Sequence, residues 1–280
     1  MPLSPGSLPA TAPLPYPKAV VDVLRRVAAK RLQRTDRYWA DPALILAGAG
    51  IQPDPWQTIL LRSTANQIAL LASRQIGKST VSAGLALRVA MLEPQSLVLL
   101  LSPSLRQSGE LFRKVTSIFN GIGRPVPVAT ETVLTLELAN GSRIVSLPGT
   151  EGTVRGYSGV KLLVIDEAAR VDDSLYYSVR PMLAVSGGQI VTLSTPFGKR
   201  GWFYEEWLGS GDWERYQVRA DQCPRVTADF LEQERLALGE RWYAQEYLCS
   251  FEEVAGAVFA HADIHAALTD DVQPMFTVNQ

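Results

Sequence analysis

The sequence predicts an α/β domain built on a mostly parallel sheet flanked by helices, with a small helical subdomain behind it. Three observations carry this prediction. From Ile51 to about Ala220, short apolar runs alternate with helical stretches. One apolar run leads into Ala72-Ser73-Arg74-Gln75-Ile76-Gly77-Lys78-Ser79, which opens a helix, and another ends in Asp166-Glu167. Strands buried on both faces read as continuous apolar runs, and parallel pairing needs a crossover helix between them.

The chain has 280 residues, 46% hydrophobic and 20% charged, enough for one sizeable core. Lys and Arg number 27 against 28 Asp and Glu, so a polyanionic partner would have to meet a local patch rather than the whole chain. The two cysteines have no metal-like spacing and suggest a reducing compartment. No apolar run is long enough to span a membrane, and the first residues lack the pattern of a secretory signal.

Residues 1–17 are rich in Pro, Ser and Ala and read as a disordered arm. Residues 18–50 form an N-terminal helical segment. Between 18 and 38, Lys18, Arg25, Arg26, Lys30, Arg31, Arg34 and Arg37 face only Asp22 and Asp36, which makes either a solvated helix face or a contact for DNA or a partner. The core, residues 51–220, should hold strands at Gln67–Ala72, Ser96–Leu101, Leu162–Ile165 and Gln189–Ser194. Helices should run over Ser79–Leu92, Leu105–Asn120 and about Ser174–Ala184. A hairpin, Val133–Ala139 and Ser142–Ser146, should turn at Asn140-Gly141. Residues 221–260 read as a helical lid or linker, with Leu231, Leu236, Leu238, Trp242, Tyr243 and Tyr247 as its apolar face, and residues 261–280 as a tail. The aromatics Trp202, Phe203, Tyr204, Trp207 and Trp213 are expected to pack this lid onto the core rather than stack on bases.

The loop matches G-x-x-x-x-G-K-[ST] except that Ala72 replaces the first glycine. Gly77 lets the backbone approach phosphate oxygens, and the amides from Ser73 through Thr80 can point at the anion. Lys78 would neutralise the β and γ phosphates, and Ser79 would hold Mg²⁺. Leu162-Leu163-Val164-Ile165 ends in Asp166, which can reach the ion, and in Glu167, which can polarise a water. The acidic strand is expected beside the phosphate-loop strand. The fold class is thus a P-loop NTPase of the ASCE/RecA-like type. His261 and His265, four apart with no further ligands, read as a surface helix.

These residues resemble the terminase large subunit of tailed phages, over roughly residues 50–260. The Ser73-Arg74-Gln75 start of the loop is similar to the family's variant, with Arg74 inside it. Pro55-Trp56-Gln57 looks like the family's adenine motif, in which Gln57 would read the base. Thr153-Val154-Arg155-Gly156-Tyr157-Ser158-Gly159 resembles the run before the acidic pair, which makes Arg155 an arginine-finger candidate in competition with Arg74. Ser194-Thr195-Pro196-Phe197-Gly198 is similar to the motif that couples hydrolysis to movement. Trp242–Phe251 and Gly256-Ala257-Val258-Phe259 resemble the end of the ATPase region.

The resemblance implies an ATPase using ATP and Mg²⁺ to translocate double-stranded DNA in phage genome packaging. It also implies a homo-oligomeric ring on a portal protein, a small terminase subunit delivering DNA, no membrane, and the host bacterial cytoplasm as location. The family normally continues into a nuclease domain. Here Asp263, Asp270 and Asp271 stand in a short polar tail, so endonuclease activity is not expected of this chain. Two other readings are a helicase-like DNA-dependent ATPase and a non-catalytic prophage remnant.

Overall fold

The computed structural model describes residues 35–149, 151–154 and 156–253, with isolated positions in 17–23 and at 267. The expected arm 1–17, most of the basic stretch, Arg155 and the tail with His261, His265 and its aspartates lie outside the described residues.

The sheet has eight strands: β1 Gln67–Ala72, β2 Leu97–Ser102, β3 Val128–Glu131, β4 Thr135–Leu138, β5 Arg143–Pro148, β6 Val160–Asp166, β7 Gln189–Ser194 and β8 Glu214–Val218. Their order is β3-β4-β5-β2-β6-β7-β1-β8. The six strands from β5 to β8 are parallel, and β3 and β4 extend the sheet antiparallel at one edge. The expected hairpin is therefore present as β4–β5, with its second strand also joined to β2. Gly141 turns it with φ +83°, and Asn140 Nδ2 bonds the Ala90 carbonyl at 2.9 Å.

Helices α1 Leu44–Gly48, α2 Pro55–Arg62, α3 Lys78–Leu92 and α4 Leu105–Gly121 precede the hairpin. After it come a single turn, α5 Glu151–Val154, and then α6 Asp173–Val179, α7 Gly201–Leu208 and α8 Ala228–Leu248. One face of the sheet packs Ile68, Leu70, Val98, Leu100, Leu162 and Val164 under α1–α4. The other packs Leu71, Leu99, Leu101, Leu163 and Ile165 under α6 and α7. Because alternate residues of one strand enter opposite cores, each strand must be apolar throughout; each fully buried aliphatic side chain contributes about 1.5–3 kcal/mol.

Four expectations change. First, the acidic strand does not adjoin the phosphate-loop strand: β7 lies between β6 and β1. Sequence order leaves spatial order open, and this insertion brings Ser194-Thr195 between loop and acid. Second, β3 and β8 were not foreseen. Both are edge strands, short and largely polar, so neither shows the apolar run of a strand covered on both faces. Third, the lid's expected apolar face is split. Leu231 and Tyr243 pack with Ala220, but Leu236 is 76% exposed and Trp242 50%. Gly239, at φ +75° and ψ 160°, breaks α8 into two segments, so one 3.6-residue stripe cannot continue across it. Fourth, Trp202 and Phe203 belong to the core beneath the sheet rather than to a lid contact. Trp202 stacks on Tyr176 of α6 at 3.8 Å between centroids. Tyr38, Ile45 and Leu46 of the N-terminal helical segment are likewise wholly buried in the first core.

Candidate functional site

The carboxyl ends of β1, β6 and β7 meet at a cavity of about 1410 Å³. Its floor is the loop between β1 and α3. Gln75, at φ +58°, and Gly77, at φ +102°, turn the chain so that α3 begins at Lys78. A left-handed backbone at Gly77 excludes most side chains, and a Cβ there would lie 2.6 Å from Gln57 Nε2. The first-turn amides of a helix have no intrahelical partner and form an anion-binding mouth.

Lys78 is buried, and its ammonium donates to the Ser73 carbonyl at 2.9 Å, the Ala72 carbonyl at 3.3 Å and Thr195 Oγ1 at 3.4 Å. It thus rests on neutral acceptors at the cavity edge. Ser79 Oγ donates to Asp166 Oδ2 at 3.4 Å. Burial, reinforced by the charge of Glu167, pushes the Asp166 carboxyl up to about 6, against the pull of Lys78. Glu167 follows in a left-handed conformation, φ +52°, and lines the cavity. Its backbone N–H donates to Asp166 Oδ1 at 3.1 Å. The hydroxyl and carboxylate oxygens of Ser79 and Asp166 are hard donors that suit Mg²⁺. Among the described residues no cluster of three His, Cys, Asp or Glu could cage a metal. That fits an ion completing its shell with water and phosphate oxygens.

Ser194 is fully buried; its Oγ accepts from the Ala169 N–H at 3.1 Å and donates to the Thr195 carbonyl at 2.8 Å. Pro196 is buried beside them. Ser73 is buried with no partner for its hydroxyl, and its N–H donates to the Val218 carbonyl at 3.0 Å. Gln75 and Thr80 line the cavity. Arg74 lines it too, but its guanidinium pairs with Glu246 of α8, through Nε to Oε2 and Nη2 to Oε1 at 3.5 Å, and its N–H bonds the Glu246 carbonyl at 3.2 Å. Gln57 reaches the site with both ends of its amide already engaged: it donates to the Gly77 carbonyl and accepts from the Asp54 N–H.

Sequence reasoning missed Asp54, Lys114, Arg170, Arg225 and Glu246. Lys114, on α4, bonds Thr80 Oγ1 at 3.3 Å, and Arg170 stacks its guanidinium on Phe197 at 4.1 Å; both line the cavity. None carries a local motif, because each reaches the site from a distant segment. Only Glu246 sat in a run already singled out.

The family model for the terminase large subunit, T4likevirus-type, N-terminal, matches residues 69–266. The chain belongs to the terminase large-subunit family. Among solved structures it is similar to the large terminase ATPase domain of Thermus phage P74-26, at 22% identity and a TM-score of 0.65, covering 74% of this chain and 97% of that one. It is also similar to the large terminase of a thermophilic bacteriophage, at 16% identity and a TM-score of 0.61. That match covers 71% of this chain and 54% of that one, so the chain spans about half of that protein. The same phage protein in complex with ATP-γ-S matches at 15% identity and a TM-score of 0.55, with 67% of this chain and 48% of that one covered. At these identities the likeness establishes a shared α/β fold. No curated protein matches. Among the described residues no helix is long and apolar enough to cross a membrane.

Proposed function

We propose that the chain is the ATPase of a phage packaging motor, hydrolysing Mg·ATP to translocate double-stranded DNA. The observation that carries this reading is the convergence of Lys78, Ser79, Asp166, Glu167 and Thr195 on one cavity at the carboxyl edge of the sheet. The loop amides and Lys78 would bind the β and γ phosphates, Lys78 leaving its carbonyl rests for the stronger charge. Ser79 and Asp166 would hold Mg²⁺, which supplies charge neutralisation on the phosphoryl group. Glu167, placed beside them but free to face the cavity, would orient the attacking water. Thr195 touches Lys78 and ends β7, so loss of the γ phosphate would be felt in Ser194-Thr195-Pro196 and passed toward residues 221–260, read as a lid.

A second cation would come from Arg74, in cis, or Arg155, in trans. Mixing Arg155→Ala protein with Glu167→Gln protein decides between them: recovered hydrolysis requires a shared interface. A homo-oligomeric ring, a portal protein, a small terminase subunit and the host cytoplasm complete the reading, on the family's account. The test is phosphate release from Mg·ATP by the purified chain, with and without duplex DNA, alongside displacement of a third strand from a DNA triplex. Absence of ATP binding would end this reading; hydrolysis with no displacement in the presence of portal and small subunit would end its motor half.

A further inference from the structure

Two carbonyls of the phosphate loop are held from outside the loop. The Gly77 carbonyl accepts from Gln57 Nε2 at 3.2 Å, and the Ile76 carbonyl accepts from Arg225 Nη2 at 3.0 Å. Asp54 joins the two donors. Its carboxylate takes Arg225 Nη1 at 2.6 Å and Nη2 at 2.8 Å, and its backbone N–H donates to Gln57 Oε1 at 2.9 Å. Trp56 Nε1 also reaches Asp54 Oδ2, at 3.3 Å. The start of α2, the phosphate loop and the segment leading into α8 are thus closed into one circuit.

The circuit has a stereochemical consequence. A trans peptide is planar, with its C=O and N–H pointing in opposite directions, and among the described residues no peptide is cis. Pinning the Ile76 carbonyl therefore fixes the Gly77 N–H, and pinning the Gly77 carbonyl fixes the Lys78 N–H. These two amides head α3, where an anion would sit. Gly77 is the residue with the most conformational freedom in the loop, so it is where outside restraint has most to add.

We infer that Arg225 is a positioning residue for phosphate binding: clamped by Asp54, it holds the Ile76 carbonyl outward and so aims the Gly77 amide at the nucleotide's phosphates. This rests on the ATP-site reading above. The geometry needs a guanidinium. A planar fork can grip both carboxylate oxygens and still extend a donor to the carbonyl, whereas an ammonium makes point contacts. Asp54 is nearly buried while half of the Arg225 side chain stays exposed, so Asp54 is the fixed member of the pair. Gln57 acts in the same circuit, from the other side of Gly77.

The test is equilibrium titration of the full chain with a fluorescent ATP analogue and, in competition, with Mg-tripolyphosphate, which has phosphates and no base. Arg225→Met and Asp54→Asn should each weaken ATP and tripolyphosphate alike, by about tenfold, as loss of a charge-assisted hydrogen bond requires. The double variant should be no weaker than the worse single one, Arg225→Lys should recover part of the loss, and KM should rise more than kcat falls. Four results would overturn the inference. Asp54→Asn leaving affinity intact while Arg225→Met lowers it would place Arg225 on the nucleotide itself. ATP weakened with tripolyphosphate unchanged would place the circuit at the base. Lowered thermal stability with unchanged affinities would make the circuit purely structural. Unchanged chain that binds neither ligand would remove the ATP site, and this inference with it.

Discussion

Helix α3 carries a cation near each end, and the two are treated in opposite ways. Arg88, toward the far edge of the sheet, donates Nη1 to the Leu61 carbonyl at 3.0 Å and the Ser63 carbonyl at 2.8 Å, and Nη2 to Gln189 Oε1 at 2.7 Å. It satisfies the carbonyls left over at the end of α2 and joins α2 to the start of β7, and burial lowers its pKa. Lys78, at the cavity, has one contact of 2.9 Å and two of 3.3 and 3.4 Å, all to neutral oxygens. One cation is saturated and acts as a structural tie. The other is buried with weaker, exchangeable contacts beside an open cavity, so a polyanion would outbid them. What separates the two is the strength and replaceability of their partners.

Substitutions at both ends sharpen this contrast. Lys78→Ala should lower hydrolysis about a thousandfold or more, because the transferring phosphoryl group loses its fixed charge. Its thermal midpoint should change little, since only long contacts to carbonyls are lost. Unaltered turnover in that variant would break the comparison at its functional end. Glu167→Gln should retain ATP binding and lose about 10²–10⁴-fold in turnover, as removal of a general base does. Phosphate release and nucleotide binding, measured side by side, check both.

Arg88→Met should do the reverse. Leaving two carbonyls and Gln189 without their donor should cost about 2–4 kcal/mol of stability, read by urea unfolding, with turnover per folded molecule nearly unchanged. A large loss of turnover with intact stability would show that the two ends of α3 are functionally linked.

The smallest effect concerns Asp166. Its carboxyl is raised to about 6 in the fold, from the usual carboxylate value, by burial and by Glu167. The folded state therefore binds more protons than the unfolded one between about pH 4 and 6. Stability in the absence of metal is penalised above that window and relieved below it. Asp166→Asn should be more stable than the unchanged chain at pH 7.5 in chelator, by about 1–3 kcal/mol, with the difference vanishing as the pH falls through 6 toward 4. A difference that grows on acidification would refute the assignment.

The sequence by itself determined the elements whose chemistry is local. β1, β7 and α3 lie within a residue of where apolar continuity and the Gly77-Lys78-Ser79 start place them, and Asp166-Glu167 ends its strand as written. Gly77 had to be left-handed for the loop to open a helix. Tertiary structure decided the rest. Which strand separates β1 from β6 depends on packing between segments about a hundred residues apart, so Thr195 meets Lys78 only in the folded chain. The edge strands β3 and β8 owe their pairing to neighbours rather than to their own mostly polar sequence. Gly239 interrupts a periodicity that looked continuous because composition does not record a single backbone angle. Asp54, Arg225 and Glu246 acquire meaning only through partners 149 to 172 positions away. A hydrogen bond or ion pair depends on distance in space, and the chain reports only distance along itself.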